Sequence, residues 1–273
     1  MIVILSEDIM GVSTLLNRAQ ILENENVNGI NIYKVKLENT LPFLIVVSGY
    51  GKVNTARAIQ YVDTKYCIDK LIVTGNTGSL VATTAPIGTV AISTASMQYD
   101  VDFTALGFDE YALPNQEVNE YPADQGLITK AQTAAIIAEE TVATGLFASA
   151  DSFLANTADA TALQTATGAT FVDTNAGDAG QIAYFNEIPY VVVKGVSNLA
   201  GDTAVTEYNA NVNEANTNAN EVVYQMLIAL IGVPEVEDAP RCNQMNNFNQ
   251  TIAWNRNCCN QGYDEARRFW WGV

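Results

Sequence analysis

Short apolar runs alternate with longer amphipathic stretches along residues 1–233. Most of these runs are rich in Val and Ile and lack an alternating polar face, which favours strands buried on both sides of a sheet. We predict strands at residues 2–5, 32–37, 43–47, 71–74, 89–93, 146–148, 170–173 and 190–196.

Helical patterns fill much of the space between the predicted strands. We predict helices at residues 53–64, 128–140, 175–186 and 211–231, the last with an apolar face that includes Val222, Met226 and Leu230. Strands that alternate with helices indicate an α/β fold, with a three-layer, mostly parallel or mixed sheet flanked by helices.

The pattern changes at Pro234. Residues 234–273 hold all three tryptophans, three of the four cysteines and four of the six arginines, and they are rich in Asn. We therefore predict two parts, an α/β domain over residues 1–233 and an irregular C-terminal tail over residues 234–273.

The charge balance narrows the range of partners. A net charge of −17 repels phosphate backbones, so we expect no nucleic acid partner. The chain has no histidine, the commonest metal ligand, and we expect neither a metal nor a cofactor. No apolar run is long enough to span a bilayer. Met1 leads straight into a strand-like run, so we expect a cytoplasmic protein, or a secreted or surface one if a leader has been removed.

Five motifs occur in order along the predicted α/β domain. They are SGYGKV at 48–53, TGNTGSL at 74–80, DVDFTALGF at 100–108, SADSF at 149–153 and PYVVVKGVSN at 189–198. Together they resemble 5′-methylthioadenosine/S-adenosylhomocysteine nucleosidase and its relatives in the nucleoside phosphorylase superfamily. The first two are interpreted as glycine turns that follow strands, where a backbone can approach a ligand closely.

The resemblance implies cleavage of an N-glycosidic bond, but three matching positions lack the family's acids. The aspartate that protonates the purine corresponds to Asn198, and an amide has no proton to transfer. The glutamate that holds the ribose corresponds to Asn175, and the glutamate that activates water corresponds to Val12. Asn76, Phe153 and Thr174 would remain as pocket residues. Phe153 is equally well explained as the aromatic side chain that stacks on the purine or as a core residue.

Two alternatives stay open. Glu7 or Asp8 would replace the missing acid if the alignment slips, and Asn198 would suit a 6-oxopurine in an active enzyme of altered specificity. A phosphorylase is disfavoured, because the early loop holds these two carboxylates and the turn at Asn76 has no arginine to bind phosphate.

The cysteines and the tail suggest contacts between subunits. Cys67 is interpreted as buried packing, whereas Cys242 can form a disulfide with Cys258 or Cys259 in an oxidising compartment. The tail also holds side chains of the types that dominate protein interfaces. They are Trp254, Arg267, Arg268, Phe269, Trp270 and Trp271. We therefore interpret the tail as an assembly segment and not as an unstructured terminus.

The leading hypothesis is a catalytically degenerate nucleosidase-fold protein that acts as a self-assembling structural or binding subunit, including the case of a filament. The alternatives are an active purine nucleosidase or phosphorylase of altered specificity, and a nucleoside sensor or storage protein. Under the leading hypothesis, the partners of the protein would be other copies of the same chain and a weakly bound nucleoside.

Deleting residues 234–273 is expected to abolish higher assembly while the α/β domain still folds, because the candidate interface residues are lost. Size-exclusion chromatography measures the assembly and circular dichroism the fold. An unchanged elution volume would count against an assembly role.

Overall fold

The computed structural model describes residues 1–232. The predicted tail, with its candidate disulfide cysteines Cys242, Cys258 and Cys259 and its candidate assembly side chains, lies outside the described residues.

Ten strands form one sheet. They are β1 (Ile2–Ser6), β2 (Gln20–Val27), β3 (Ile30–Lys36), β4 (Phe43–Val47), β5 (Lys70–Ser79), β6 (Val90–Gln98), β7 (Glu120–Pro122), β8 (Val142–Ser149), β9 (Phe171–Asp173) and β10 (Tyr190–Asn198). Six α-helices accompany them. They are α1 (Ser13–Arg18), α2 (Lys52–Tyr66), α3 (Gln125–Ile137), α4 (Thr157–Thr167), α5 (Ala176–Phe185) and α6 (Ala204–Ile231).

The sheet is mixed and curls at one end. Its strand order is β10-β6-β8-β9-β5-β1-β4-β3-β2, with β7 beside β6, and β10 also pairs with β5. Strands β10, β6, β8, β9 and β5 therefore close into a ring. Register shifts in β6 at Ser93/Ala95 and in β10 at Val196/Asn198 bend these strands.

Helices cover both faces of the sheet, which confirms the three-layer prediction. In β1, Val3 and Leu5 pack in the cluster that contains side chains of α2 and α5. Ile2 and Ile4 pack in the opposite cluster, with side chains of α1, α3 and α6. Because every residue of β1 is buried, this strand reads as a continuous apolar run rather than an alternating one.

The sequence prediction missed four elements, β2, β7, α1 and α4, and two of them, β2 and α4, are mostly exposed and lack an apolar pattern. Strand β2 is mostly exposed at the edge of the sheet and pairs with β3 through Asn28 and Gly29, both at positive φ, the backbone of a tight hairpin turn. Helix α4 is mainly Thr and Ala. Asn156 caps its N-terminus, because the Asn156 side chain accepts a hydrogen bond from the backbone N–H of Asp159.

Other predictions need correction. The TGNTGSL segment is not a turn, because β5 continues to Ser79 and its Gly75 and Gly78 pair with Lys194 and Asn198 of β10. Cys67 is not a buried core residue, since its side chain is only half-buried. Helix α6 starts at Ala204, upstream of the predicted residue 211.

Asp178, in the first turn of α5, is an unpartnered buried acid. It is 3% exposed, and neither carboxylate oxygen has a hydrogen-bond partner among the described residues. Burial raises its pKa to about 8. The positive charge of Lys52 opposes this rise, and the negative charges of nearby aspartates such as Asp173 add to it. An ionised Asp178 therefore weakens the fold.

We predict that Asp178→Ala raises the free energy of unfolding at pH 8 by about 2–3 kcal/mol, since an unpaired buried charge is lost. The raised pKa means that the wild type loses stability as pH rises from about 4 to about 8, the interval in which only the unfolded acid is ionised. The gain from the substitution should therefore shrink towards zero near pH 4. Chemical denaturation at several pH values measures this difference.

The matched control is Asp159→Ala, which removes an exposed acid from the first turn of α4. It should change stability by less than about 1 kcal/mol, the usual size of a helix-dipole contribution. Equal effects of the two substitutions across this pH range would contradict the assignment.

Candidate active site

A pocket of about 460 Å³ lies where several strands end. Glu7 follows β1, Asn76 and Gly78 lie on β5, Thr174 follows β9, and Asn198 ends β10. Most of these strands are parallel to one another, so their carboxyl ends meet at one edge of the sheet, the usual ligand position in open α/β folds. Tyr50, Phe153 and Tyr208 also line the pocket.

Asn198 presents a hydrogen-bond donor at one end of the pocket. The Ser197 hydroxyl donates to Asn198 Oδ1 at 2.9 Å, which leaves Nδ2 as the free arm of the carboxamide. Glycine at position 78 leaves room for that arm, because a Cβ there would lie 3.0 Å from Nδ2, closer than ordinary packing contacts. The group at this end of the pocket can therefore donate a hydrogen bond but cannot act as an acid.

Phe153 is not a core residue, which excludes one of its two interpretations. Its side chain is 51% exposed and lines the pocket. It meets Tyr208 edge to face, with ring centroids 5.6 Å apart and an interplanar angle of 81°. An aromatic face of this kind is available to stack on a planar ligand.

A buried ion pair lies beside the pocket, and one of its two members, Asp173, lines it. Lys194 Nζ donates to Asp173 Oδ2 and to Asn175 Oδ1, both at 2.6 Å. The Lys194 and Asp173 side chains are only 1% and 2% exposed. Asp173 also accepts from the Ser149 hydroxyl and from the backbone N–H groups of Asn175 and Ala176. This network joins β8, β9, β10 and the start of α5.

Two of the three positions that match the family's acids lie away from the pocket lining. Val12 is fully buried in the core cluster between the sheet and α6, where it has no route to a ligand. Asn175 was predicted to contact a nucleoside, but it is fully buried and is not among the described residues that line the pocket. Its side-chain Oδ1 accepts a hydrogen bond from Lys194. Asn76, Phe153, Thr174 and Asn198 do come together around the pocket as predicted.

Glu7 and Asp8, the two proposed stand-ins, differ in position. Glu7 lines the pocket, and its Oε1 accepts a hydrogen bond from the Thr174 hydroxyl at 2.6 Å. Burial raises the pKa of Glu7, while the charge of Lys194 and the Thr174 hydroxyl act to lower it. Asp8 is not among the lining residues and accepts from the Gly11 backbone N–H at 2.8 Å and from the Tyr50 hydroxyl. Only Glu7 therefore fits the role of a stand-in.

The pocket offers little to a phosphate ion. Lys194 is not among the described residues that line it and is already paired with Asp173, and Glu7 adds a carboxylate to the lining. Among residues 1–232 no cluster of three or more carboxylate or cysteine side chains is arranged to hold a metal ion. In the same part of the chain, no helix combines the length and apolarity needed to cross a membrane.

Several site residues escaped the sequence prediction, among them Tyr50, Tyr208 and Lys194. Tyr50 and Tyr208 lie on elements far apart in the chain, and nothing in their surroundings signals that they meet at one pocket. Lys194 sits in a recognised motif, but its burial follows from a partner two elements away. The one signal in the sequence was a lysine inside the otherwise apolar run of β10.

The fold and pocket define an α/β protein with a small-molecule site at the carboxyl ends of its strands. The chain matches the model of the phosphorylase superfamily over residues 2–231, and it belongs to that superfamily. It is 30% identical over 210 residues to the 5′-methylthioadenosine/S-adenosylhomocysteine nucleosidase of Staphylococcus carnosus, an alignment that covers 77% of this chain and 91% of that protein.

Solved structures share the fold. The Neisseria meningitidis nucleosidase in complex with methylthio-immucillin-A superposes with a TM-score of 0.79 at 23% identity, and covers 84% of this chain and 98% of its own. A Helicobacter pylori nucleosidase variant with one aspartate changed to asparagine also superposes with a TM-score of 0.79, at 19% identity. It covers 84% of this chain and 98% of its own, and it has 5′-methylthioadenosine in its active site.

We predict that Lys194→Met lowers the free energy of unfolding by about 3–5 kcal/mol, because it leaves the buried Asp173 carboxylate without its cation. The double variant Asp173→Asn, Lys194→Met should recover much of this loss, since no buried charge remains. Urea denaturation measures both. A double variant no more stable than Lys194→Met would argue that the charge pair is not the cause.

Proposed function

We propose that this protein binds a purine nucleoside and leaves the N-glycosidic bond intact, or cleaves it far more slowly than its nucleosidase relatives do. The observation that carries the proposal is Asn198, a neutral carboxamide at the end of β10 that lines the pocket. It is the position at which the resemblance places the acid for the departing base.

In this proposal, the protein lacks the acid groups that catalyse cleavage but keeps the shape of the pocket. General acid and general base catalysis each contribute about 10²–10⁴-fold to a rate. Asn198 has no transferable proton, Val12 is sealed in the core, and Asn175 is held by Lys194. Each difference leaves a well-packed neutral side chain, so the pocket persists without its acids.

Binding, by contrast, keeps its elements. The pocket volume suits a nucleoside, Phe153 offers an aromatic face, and Asn198 Nδ2 offers a donor to an acceptor nitrogen of the base. The Helicobacter pylori variant supports this reasoning, because a nucleosidase with an aspartate replaced by asparagine holds 5′-methylthioadenosine.

The proposal includes assembly into a homo-oligomer through residues 234–273, with the nucleoside-binding domain as the repeated unit. Its support is the concentration of Trp and Arg side chains in that segment, such as Trp270, Trp271 and Arg268. Truncation of the segment tests this part independently of the pocket.

Glu7 favours a second candidate function, an active purine nucleosidase of altered specificity. Its carboxylate lines the pocket beside Thr174, and burial holds its pKa above the ordinary value. A carboxyl group that lines a pocket in this way is a candidate general base. In this candidate, Glu7 would activate water while Asn198 holds the base.

Purified protein is expected to release adenine from 5′-methylthioadenosine at least about 10²-fold more slowly than a relative assayed in parallel, given the missing acid. The same nucleoside should raise the melting temperature. At one hundred times its Kd it should add about 2.7 kcal/mol to the free energy of unfolding. Adenine release is followed by chromatography and stability by thermal denaturation.

Rapid adenine release would refute the binding proposal and support the second candidate. In that case Glu7→Gln should abolish the activity, because an amide cannot accept the proton from water. The absence of both release and stabilisation, with adenosine and inosine also tested, would refute both candidates.

A further inference from the structure

Among the described residues that line the pocket, two carry carboxylates, Glu7 and Asp173. The acceptor capacity of Asp173 is already used. Its Oδ1 accepts from the Ser149 hydroxyl and from two backbone N–H groups, and its Oδ2 accepts from Lys194. A ligand hydroxyl would find no strong acceptor at Asp173.

Glu7 is the carboxylate that can still accept hydrogen bonds from a ligand. Its side chain accepts one hydrogen bond from the described residues, at Oε1 from Thr174, and it retains partial exposure where it lines the pocket. Oε2 is therefore available to a ligand. Asn175 offers no substitute, since its side chain is fully buried and its Oδ1 is bound by Lys194.

The strands set the distance between Glu7 and Asn198. Ser6, which precedes Glu7, lies beside Gly75, where an added Cβ would meet its hydroxyl at 3.6 Å. Asn198 pairs with Gly78. Three residues of a strand span about 10 Å, so the ends of β1 and β10 reach the pocket at points of β5 that are about that far apart along the strand. A base held at Asn198 therefore places its attached sugar on the Glu7 side.

We propose that Glu7 binds the vicinal hydroxyls of a ribose, so that the pocket selects ribonucleosides over 2′-deoxyribonucleosides. This inference rests on the proposed nucleoside-binding function and adds the sugar specificity of the same site. A carboxylate oxygen can accept from two adjacent hydroxyls, and hydrogen bonds to a charged group are the strong ones. Thr174 holds the carboxylate in place from the other side.

The test compares the affinities of adenosine and 2′-deoxyadenosine by calorimetry, with the full-length chain. We expect the wild type to bind adenosine at least about tenfold more tightly, the loss expected for one charge-assisted hydrogen bond. Glu7→Gln should reduce this preference to about threefold, since a neutral acceptor is roughly half as strong. Glu7→Ala should bring the ratio close to one, and Glu7→Gln decides the question if the alanine variant does not fold.

The matched control is Asp8→Asn, which removes the same charge from the same loop at a residue that does not line the pocket. It should keep the wild-type preference. A wild-type ratio near one, or a preference that survives in both Glu7 variants, overturns the assignment while nucleoside binding stands. If neither nucleoside binds, the proposed function itself fails and takes this assignment with it.

Discussion

The buried contact between Lys194 and Asp173 organises the pocket. It joins the end of β9 to the middle of β10, and the same two side chains hold Ser149 of β8 and Asn175 at the start of α5. An ion pair this deeply buried is strong only when its remaining donors and acceptors are satisfied, and the network does satisfy most of them. The positions of Thr174 and Asn198 follow from it, since each lies next to or a few residues from a member of the network.

Under the proposed function, this network also gives a physical reason why the pocket keeps its shape without the family's acids. A glutamate in place of Asn175 would bring a second negative charge to Lys194, whereas the carboxamide oxygen accepts a hydrogen bond from Lys194 and adds no charge. The one orphan at that position is Asn175 Nδ2, which has no partner among the described residues. The carboxylate that remains open to a ligand, Glu7, comes from a different strand end and reaches the pocket from the side of β1.

The sequence predicts well those parts of the fold where burial leaves a local pattern. Strands β1 and β4 are apolar throughout because both of their faces are covered, so their runs are visible without a structure. Strand β2 and helix α4 carry exposed, Thr-rich or charged residues, and only their turn and cap residues, Gly29 and Asn156, mark them. Gly75 misled the prediction, since a glycine inside a bent strand has the same local signature as a turn.

The candidate site was predictable to the extent that it sits in motifs. Asn198 and Phe153 lie in such motifs and line the pocket, whereas Asn175 was expected to contact a nucleoside and is fully buried. The choice between Glu7 and Asp8 depends on the course of the loop after β1. Two adjacent carboxylates look equivalent in a sequence, yet only one faces the pocket.

A crystal structure of the wild-type protein grown with adenosine is the most direct test of binding without cleavage. We expect an intact nucleoside in the pocket, with its base against Phe153, Asn198 Nδ2 beside an acceptor nitrogen of the base, and the ribose hydroxyls on Glu7. Free adenine in the pocket, with the glycosidic bond broken, would contradict the claim that this site binds without cleaving.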